Sequence, residues 1–110
     1  MTLDSFLSLE NPEKLEKEFL FVRKEINDQL RNVFGLFNGT KTPEQIAYQQ
    51  KAAKLENLLV MIDSARAYFL ESQMALSAAL LTSSKTELTP YLLTRKTKRL
   101  RKAITSAIPV

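Results

Sequence analysis

Residues 43–82, PEQIAYQQKAAKLENLLVMIDSARAYFLESQMALSAALLT, decide the fold. Thr42 can cap a helix that begins at Pro43, and Gln45 completes the capping-box pattern. No glycine or proline follows until Pro90, so the stretch predicts one long helix. Its apolar residues recur at helical spacing. This seam contains Ala52, Leu55, Leu59, Ile62, Phe69, Leu76 and Leu80.

The second half of this helix is apolar around most of its circumference. Between residues 57 and 84, Asp63, Arg66 and Glu71 are the charged residues. A helix of this kind is buried on several sides. The spacing of Asp63 and Arg66 also predicts an ion pair along the helix face.

Another helix is predicted upstream, over residues 12–35, with a helical turn around Asp4–Leu9 in the N-terminal segment 1–10. Asn11 can cap it, and Asn38-Gly39 is a turn signal after its end. Its apolar residues repeat every three or four positions, which indicates one buried face. They are Leu15, Phe19, Val22, Ile26, Leu30, Val33 and Phe37.

A third helix is predicted over residues 90–107, because Thr89-Pro90 repeats the pattern of a cap followed by proline. Its seam contains Leu93, Thr97, Leu100, Ile104 and Ala107. The predicted fold class is therefore all-α. A single helical domain over residues 1–110 would form an elongated hairpin or bundle with a long central helix and a basic C-terminal helix.

The predicted lengths favour self-association. A helix over 43–82 would be about 60 Å long, whereas a compact chain of this size has a radius of gyration of roughly 13 Å. Two shorter helices folded along it would leave apolar surface uncovered, so we expect a homodimer with coiled-coil contacts. The alternative is a three-helix monomer with a kink near Asp63–Arg66. The apolar interface residues predicted are Leu36, Phe37, Leu59, Ile62, Phe69, Leu76 and Leu80.

Leu36 and Phe37 have two interpretations. At a turn between helices they can anchor a protein partner as exposed apolar side chains. They can equally cover the end of the hairpin. Both interpretations place them at the tip of the first two helices.

Positive charge is concentrated near the C-terminus. Residues 85–110 hold seven Lys or Arg against one Glu, a formal +6, whereas the whole chain carries +4. The alternatives are the phosphates of a nucleic acid, an acidic protein, an anionic membrane surface, a solvated face without a ligand, or a basic tail held against the acidic surface of the first helix. A membrane is disfavoured because Tyr91 is the one aromatic residue nearby. The predicted contact residues are Arg95, Lys96, Lys98, Arg99, Arg101 and Lys102.

The composition removes most chemistries. The chain has no His and no Cys, so zinc sites and the usual nucleophile–base pairs lack their residues. Two glycines cannot build a phosphate-binding loop. We expect no enzymatic activity, no catalytic residue, no metal and no cofactor.

The longest uncharged run, residues 72–84, is shorter than the roughly 20 apolar residues of a membrane span. The first residues also lack the pattern of a signal peptide, which favours a cytoplasmic location. The sequence thus predicts a non-enzymatic protein–protein interaction module, an adaptor or an assembly or chaperone-like factor. The alternative is a nucleic-acid-associated protein that contacts phosphates through residues 95–102.

Overall fold

The computed structural model describes residues 1–108, and every regular element within them is helical. The six α-helices of this part of the chain pack together, which confirms the all-α class. The body measures 49 × 26 × 24 Å. The helices are α1 (Leu3–Leu9), α2 (Pro12–Phe34), α3 (Pro43–Leu70), α4 (Met74–Ser83), α5 (Lys85–Leu88) and α6 (Lys98–Ser106), and 3-10 turns lie at Thr89–Tyr91 and Arg95–Thr97.

Helices α2 and α3 begin where their cap signals predict. The backbone N–H of Lys14 donates to Asn11 Oδ1 at 3.1 Å. The backbone N–H of Gln45 donates to Thr42 Oγ1 at 3.2 Å. In both helices a proline follows the cap, where its missing N–H costs nothing. The two helices form an antiparallel hairpin whose buried face is the predicted seam of α2.

The Gln45 side chain does not complete the capping box. Its amide nitrogen donates to Leu36 O at 2.8 Å, and its Oε1 accepts from the Asn38 backbone N–H at 3.1 Å. The side chain is buried under the loop between α2 and α3. Gln45 therefore fixes the loop rather than the first turn of its own helix.

The predicted continuous helix over 43–82 is wrong, because the chain reverses direction at Glu71–Gln73. Ser72 adopts a left-handed conformation with φ of +60°. The Gln73 N–H donates to Tyr68 O at 2.8 Å, and the Ser72 N–H donates to Phe69 O at 3.1 Å. These two bonds form a Schellman motif, which ends a helix and is usually built on glycine. Asp63 and Arg66, where the alternative prediction placed a kink, both lie within α3, so the helix does not end there.

Helix α4 folds back against the last turns of α3. Ser77 is fully buried between them, and its Oγ donates to Ala65 O at 2.8 Å. Ala65 and Ala78 are buried at the same contact. Small residues let two backbones approach closely, so Ser77 and Ala65 serve packing inside one chain.

The predicted helix over 90–107 is reduced to Lys98–Ser106. Thr94 is extended, with φ of −99° and ψ of 163°, and separates the two 3-10 turns. The Thr97 hydroxyl is buried and donates to Thr94 O at 3.1 Å. As a result Leu93, which the predicted seam placed in the core, is 66% exposed.

Helix α6 docks on α1 and α2 instead of lying along the end of the long helix. Leu100 and Ile104 of α6 are buried in the common core. Near the chain ends, the Ile108 N–H donates to Met1 O at 2.9 Å. No helix within residues 1–108 is both long enough and apolar enough to cross a membrane.

Candidate functional site

The six predicted cations do not form one surface. Arg95 and Lys96 lie in the second 3-10 turn, next to α2. Arg99 lies at the start of α6 and turns toward acidic residues of the N-terminal half. The structure therefore separates these three from the other cations of α6, which are Lys98, Arg101 and Lys102.

Glu18 holds the start of α6. Its side chain is buried, with the residue 4% exposed, and Oε1 accepts from the Leu100 backbone N–H at 2.9 Å. Its Oε2 lies 3.5 Å from Arg99 Nη1, and Arg99 Nε lies 3.5 Å from Glu10 Oε2. A buried carboxylate requires such partners, and a helix N-terminus favours negative charge. Arg99 thus lies against acidic residues of the chain itself, the arrangement of a charged face that needs no ligand.

Cations of α2, of the second 3-10 turn and of the start of α6 surround an open groove between α2 and this turn. The groove has a volume of about 440 Å³. Five cations and one carboxylate line it, which gives a formal charge of +4. We call this surface the basic groove, and its residues are Lys14, Lys17, Glu18, Phe21, Arg95, Lys96 and Arg99.

An aromatic ring lies among these cations. Lys96 Nζ is 5.1 Å from the centre of the Phe21 ring, a cation–π contact. The C-terminal segment has no aromatic residue interleaved with its cations, but α2 supplies one. The spacing of Lys14, Lys17 and Phe21, three and then four residues, is the sequence signal that places them on one side of α2.

The predicted apolar interface is divided between core and surface. Ile62 and Phe69 are 1% and 3% exposed and lie in the core of the single chain. The prediction that they contact a partner is therefore wrong. The Phe69 ring lies 5.6 Å from that of Phe19, because α2 covers this face of α3. Leu59 and Leu80 are half-buried against the core. The predicted residues that remain exposed are Leu36, Phe37 and Leu76.

The hairpin tip has a small aromatic cluster. The rings of Phe34 and Phe37 meet edge to face with their centres 5.4 Å apart. Both residues are exposed, as is Leu36 between them. Phe37 therefore packs on its own neighbour rather than continuing the buried seam of α2.

The exposed side of α3, opposite α2, has no charged residue along one continuous stripe. The residues of this stripe follow one another at intervals of four and three positions, which is the spacing of a heptad seam. Val60 is 65% exposed and Ile46 is 47% exposed. We call this stripe the outer α3 face, and its residues are Ile46, Gln50, Ala53, Asn57, Val60, Ser64 and Ala67.

The predicted ion pair between Asp63 and Arg66 is wrong, because each residue pairs with α2. Asp63 Oδ1 accepts from Arg23 Nε at 2.8 Å, and Arg66 Nη2 donates to Glu16 Oε1 at 2.6 Å. These contacts join the two helices of the hairpin across their edges. They fix the relative positions of α2 and α3 and leave the outer α3 face free of charge.

An apolar groove of about 600 Å³ lies between α1, α4 and α6. Its floor contains the small side chains of Ala75, Ala78 and Ala79, and Ile104 forms part of its wall. Asp4 and Lys85 are the charged residues of its lining. Its chemistry suits an apolar group rather than an ion.

Comparison with protein-family models, curated proteins and solved structures finds no match to this chain. Within residues 1–108 no three Asp or Glu side chains cluster closely enough to hold a metal ion.

Proposed function

We propose that the chain is a non-enzymatic interaction module, an adaptor or assembly-type factor, which binds through the outer α3 face. The observation that supports this function is the uncharged heptad seam from Ile46 to Ala67. A helix face that only contacts water normally carries charged residues. A helix face that has no charged residues and has the spacing of a coiled coil is suited to pack against another helix.

We propose a second copy of the chain as the first partner. The small side chains of Ala53, Ser64 and Ala67 would let two helices approach closely, and Val60 and Ile46 would supply apolar contact area. Asn57 lies in the middle of the seam. In a parallel pairing it would meet its counterpart in the other copy, an arrangement that fixes register and favours two strands.

Charge on the edges of the seam is compatible with this pairing. Glu56 lies next to Asn57 on one edge of the seam, and Lys54 lies next to Ala53 on the other. Each edge therefore has one charged group near the centre of the seam. In a parallel pairing Lys54 would face Gln49 of the other copy, which can accept its hydrogen bond. No like charges would be forced together at these positions.

Light scattering coupled to size exclusion, over a range of concentrations, tests this proposal. The chain is expected to elute as a dimer, and Val60→Glu is expected to make it monomeric because a carboxylate would be buried in the seam. The matched control is Leu93→Glu, which puts the same group at an equally exposed leucine outside the outer α3 face.

A chain that is monomeric at every concentration contradicts the proposal, as does a dimer that Leu93→Glu and Val60→Glu disrupt equally. Circular dichroism of both variants has to match the wild-type spectrum. That comparison separates loss of the interface from loss of the fold.

A further inference from the structure

We propose that the basic groove binds single-stranded nucleic acid, with phosphates on its cations and an unstacked base on Phe21. The proposal differs from one in which residues 95–102 act as a continuous basic element. Three of the groups involved, Lys14, Lys17 and Phe21, come from α2, and Arg99 has a structural role.

The groove carries positive charge that no carboxylate within residues 1–108 neutralises by an ion pair, apart from that of Arg99. Lys14, Lys17, Arg95 and Lys96 make no ion pair with any residue among 1–108. The carboxylate of the lining, Glu18, is already occupied by the Leu100 N–H and by Arg99. Like charges held close together raise the local potential, which attracts anions and weakens with salt. A chain of phosphates would relieve this repulsion and release counterions.

The elements on both sides of the groove are fixed by buried contacts. The Glu18 bond to Leu100 N–H fixes the start of α6, and the Thr97 side chain fixes the turn that carries Arg95 and Lys96. These contacts hold the two walls at a set separation. Cations carried on a fixed backbone lose less conformational entropy on binding than cations on a mobile tail.

The Phe21 ring favours nucleic acid over an acidic peptide as the occupant of the groove. Carboxylates would need only the cations, whereas bases stack on aromatic rings. Phe21 is half-buried and lines the groove, and Lys96 Nζ lies over its ring, so a stacked base would take the place of Lys96 on the ring while Lys96 turns to a phosphate. Since a base must leave the duplex to stack on a side chain, the groove favours a single strand over a double helix.

Fluorescence anisotropy with a labelled oligodeoxythymidine is the experiment. Replacing Lys14, Lys17, Arg95 and Lys96 by Gln is expected to make the plot of log affinity against log salt shallower by about three, at roughly 0.7 per phosphate contact. The matched control replaces Arg31, Lys41, Lys51 and Lys85 by Gln, again three lysines and one arginine. It removes the same net charge from exposed positions outside the groove, so it is expected to retain most of the affinity.

Phe21→Leu tests the stacked base, because leucine keeps the apolar contact and removes the ring. The affinity for oligodeoxythymidine is expected to fall roughly tenfold, the size of one stacking contact. Equal affinity of Phe21→Leu and wild type overturns the proposal.

Three further outcomes overturn the proposal. They are an equal loss in the two quadruple variants, equal affinity for a duplex with the same number of phosphates, and equally effective competition by polyglutamate. The Lys14→Gln/Lys17→Gln variant keeps the test valid if the quadruple variant does not fold. The Val60→Glu variant is expected to bind the oligonucleotide normally, so this result is independent of the outer α3 face.

Discussion

The hairpin of α2 and α3 and the segment from Glu71 to Ile108 are stabilised in different ways. The hairpin consists of two long helices, each capped by the residue just before its first turn. Helices α4, α5 and α6 are short and have no side-chain cap of their own at the N-terminus. They are positioned by distant residues, as Leu100 is by Glu18. We therefore expect the hairpin to be the scaffold and the C-terminal segment to open first.

The largest effect is expected from Phe19→Ala, because Phe19 is fully buried and packs on Phe69. The free energy of unfolding should fall by about 3–5 kcal/mol, since a cavity would form in the scaffold. Urea unfolding measures it. Leu20→Ala is the control, because Leu20 is exposed on the same helix and should cost less than about 1 kcal/mol. Similar losses in both variants would contradict the assignment of the core.

Glu18→Ala removes a contact between the hairpin and the C-terminal segment, and so tests whether the two regions open separately. It leaves the buried Leu100 N–H without an acceptor and should cost about 1–3 kcal/mol. Hydrogen exchange is expected to show lost protection first in α6, while the middle of α3 stays protected. Glu18→Gln keeps an acceptor for the N–H and should cost less. Equal loss of protection in α3 and α6 would show that the two regions open together.

Ser72→Gly tests the strain at the chain reversal that joins the hairpin to the C-terminal segment. The left-handed conformation of Ser72 is unfavourable for a residue with a Cβ and is accessible to glycine. The substitution should raise the stability by about 0.5–1 kcal/mol, measured by thermal and urea unfolding. Ser84→Gly is the control, because Ser84 has a φ of −113° and should gain nothing. A Ser72→Gly variant that is less stable than wild type would count against the reversal.

The smallest effect is expected for the pair of Arg23 and Asp63 on the edge of the hairpin. Both side chains are 43% exposed, so solvent screens their attraction. A double-mutant cycle with Arg23→Gln and Asp63→Asn should give a coupling of about 0.2–1 kcal/mol that decreases with salt. A coupling of several kcal/mol would mean that this pair, and not the buried seam, holds α2 on α3.

Features encoded by neighbouring residues could be predicted from the sequence. Asn11 and Thr42 each lie directly before a proline and a turn of helix, so both starts were located correctly. The seam of α2, from Leu15 to Val33, was located by its spacing alone. These signals are local, and tertiary structure did not override them.

The features that could not be predicted depend on contacts between distant residues. Ser72 is not a glycine, so nothing in its neighbourhood marks a left-handed residue. Glu18 looks like one of many acidic residues of α2 until α6 is placed over it. The basic groove is missed for the same reason, because Lys14 and Arg95 are far apart in the chain and meet only in the fold.

The Gln45 side chain has a chemical consequence for the hairpin tip. It holds the loop with one acceptor and one donor, to Asn38 and Leu36, and an amide supplies both whereas a carboxylate supplies acceptors alone. Deamidation would leave a carboxylate that still accepts from the Asn38 N–H but repels the Leu36 carbonyl. The same burial shields this amide from the water that would hydrolyse it, so Gln45 keeps both bonds as long as the loop stays closed over it.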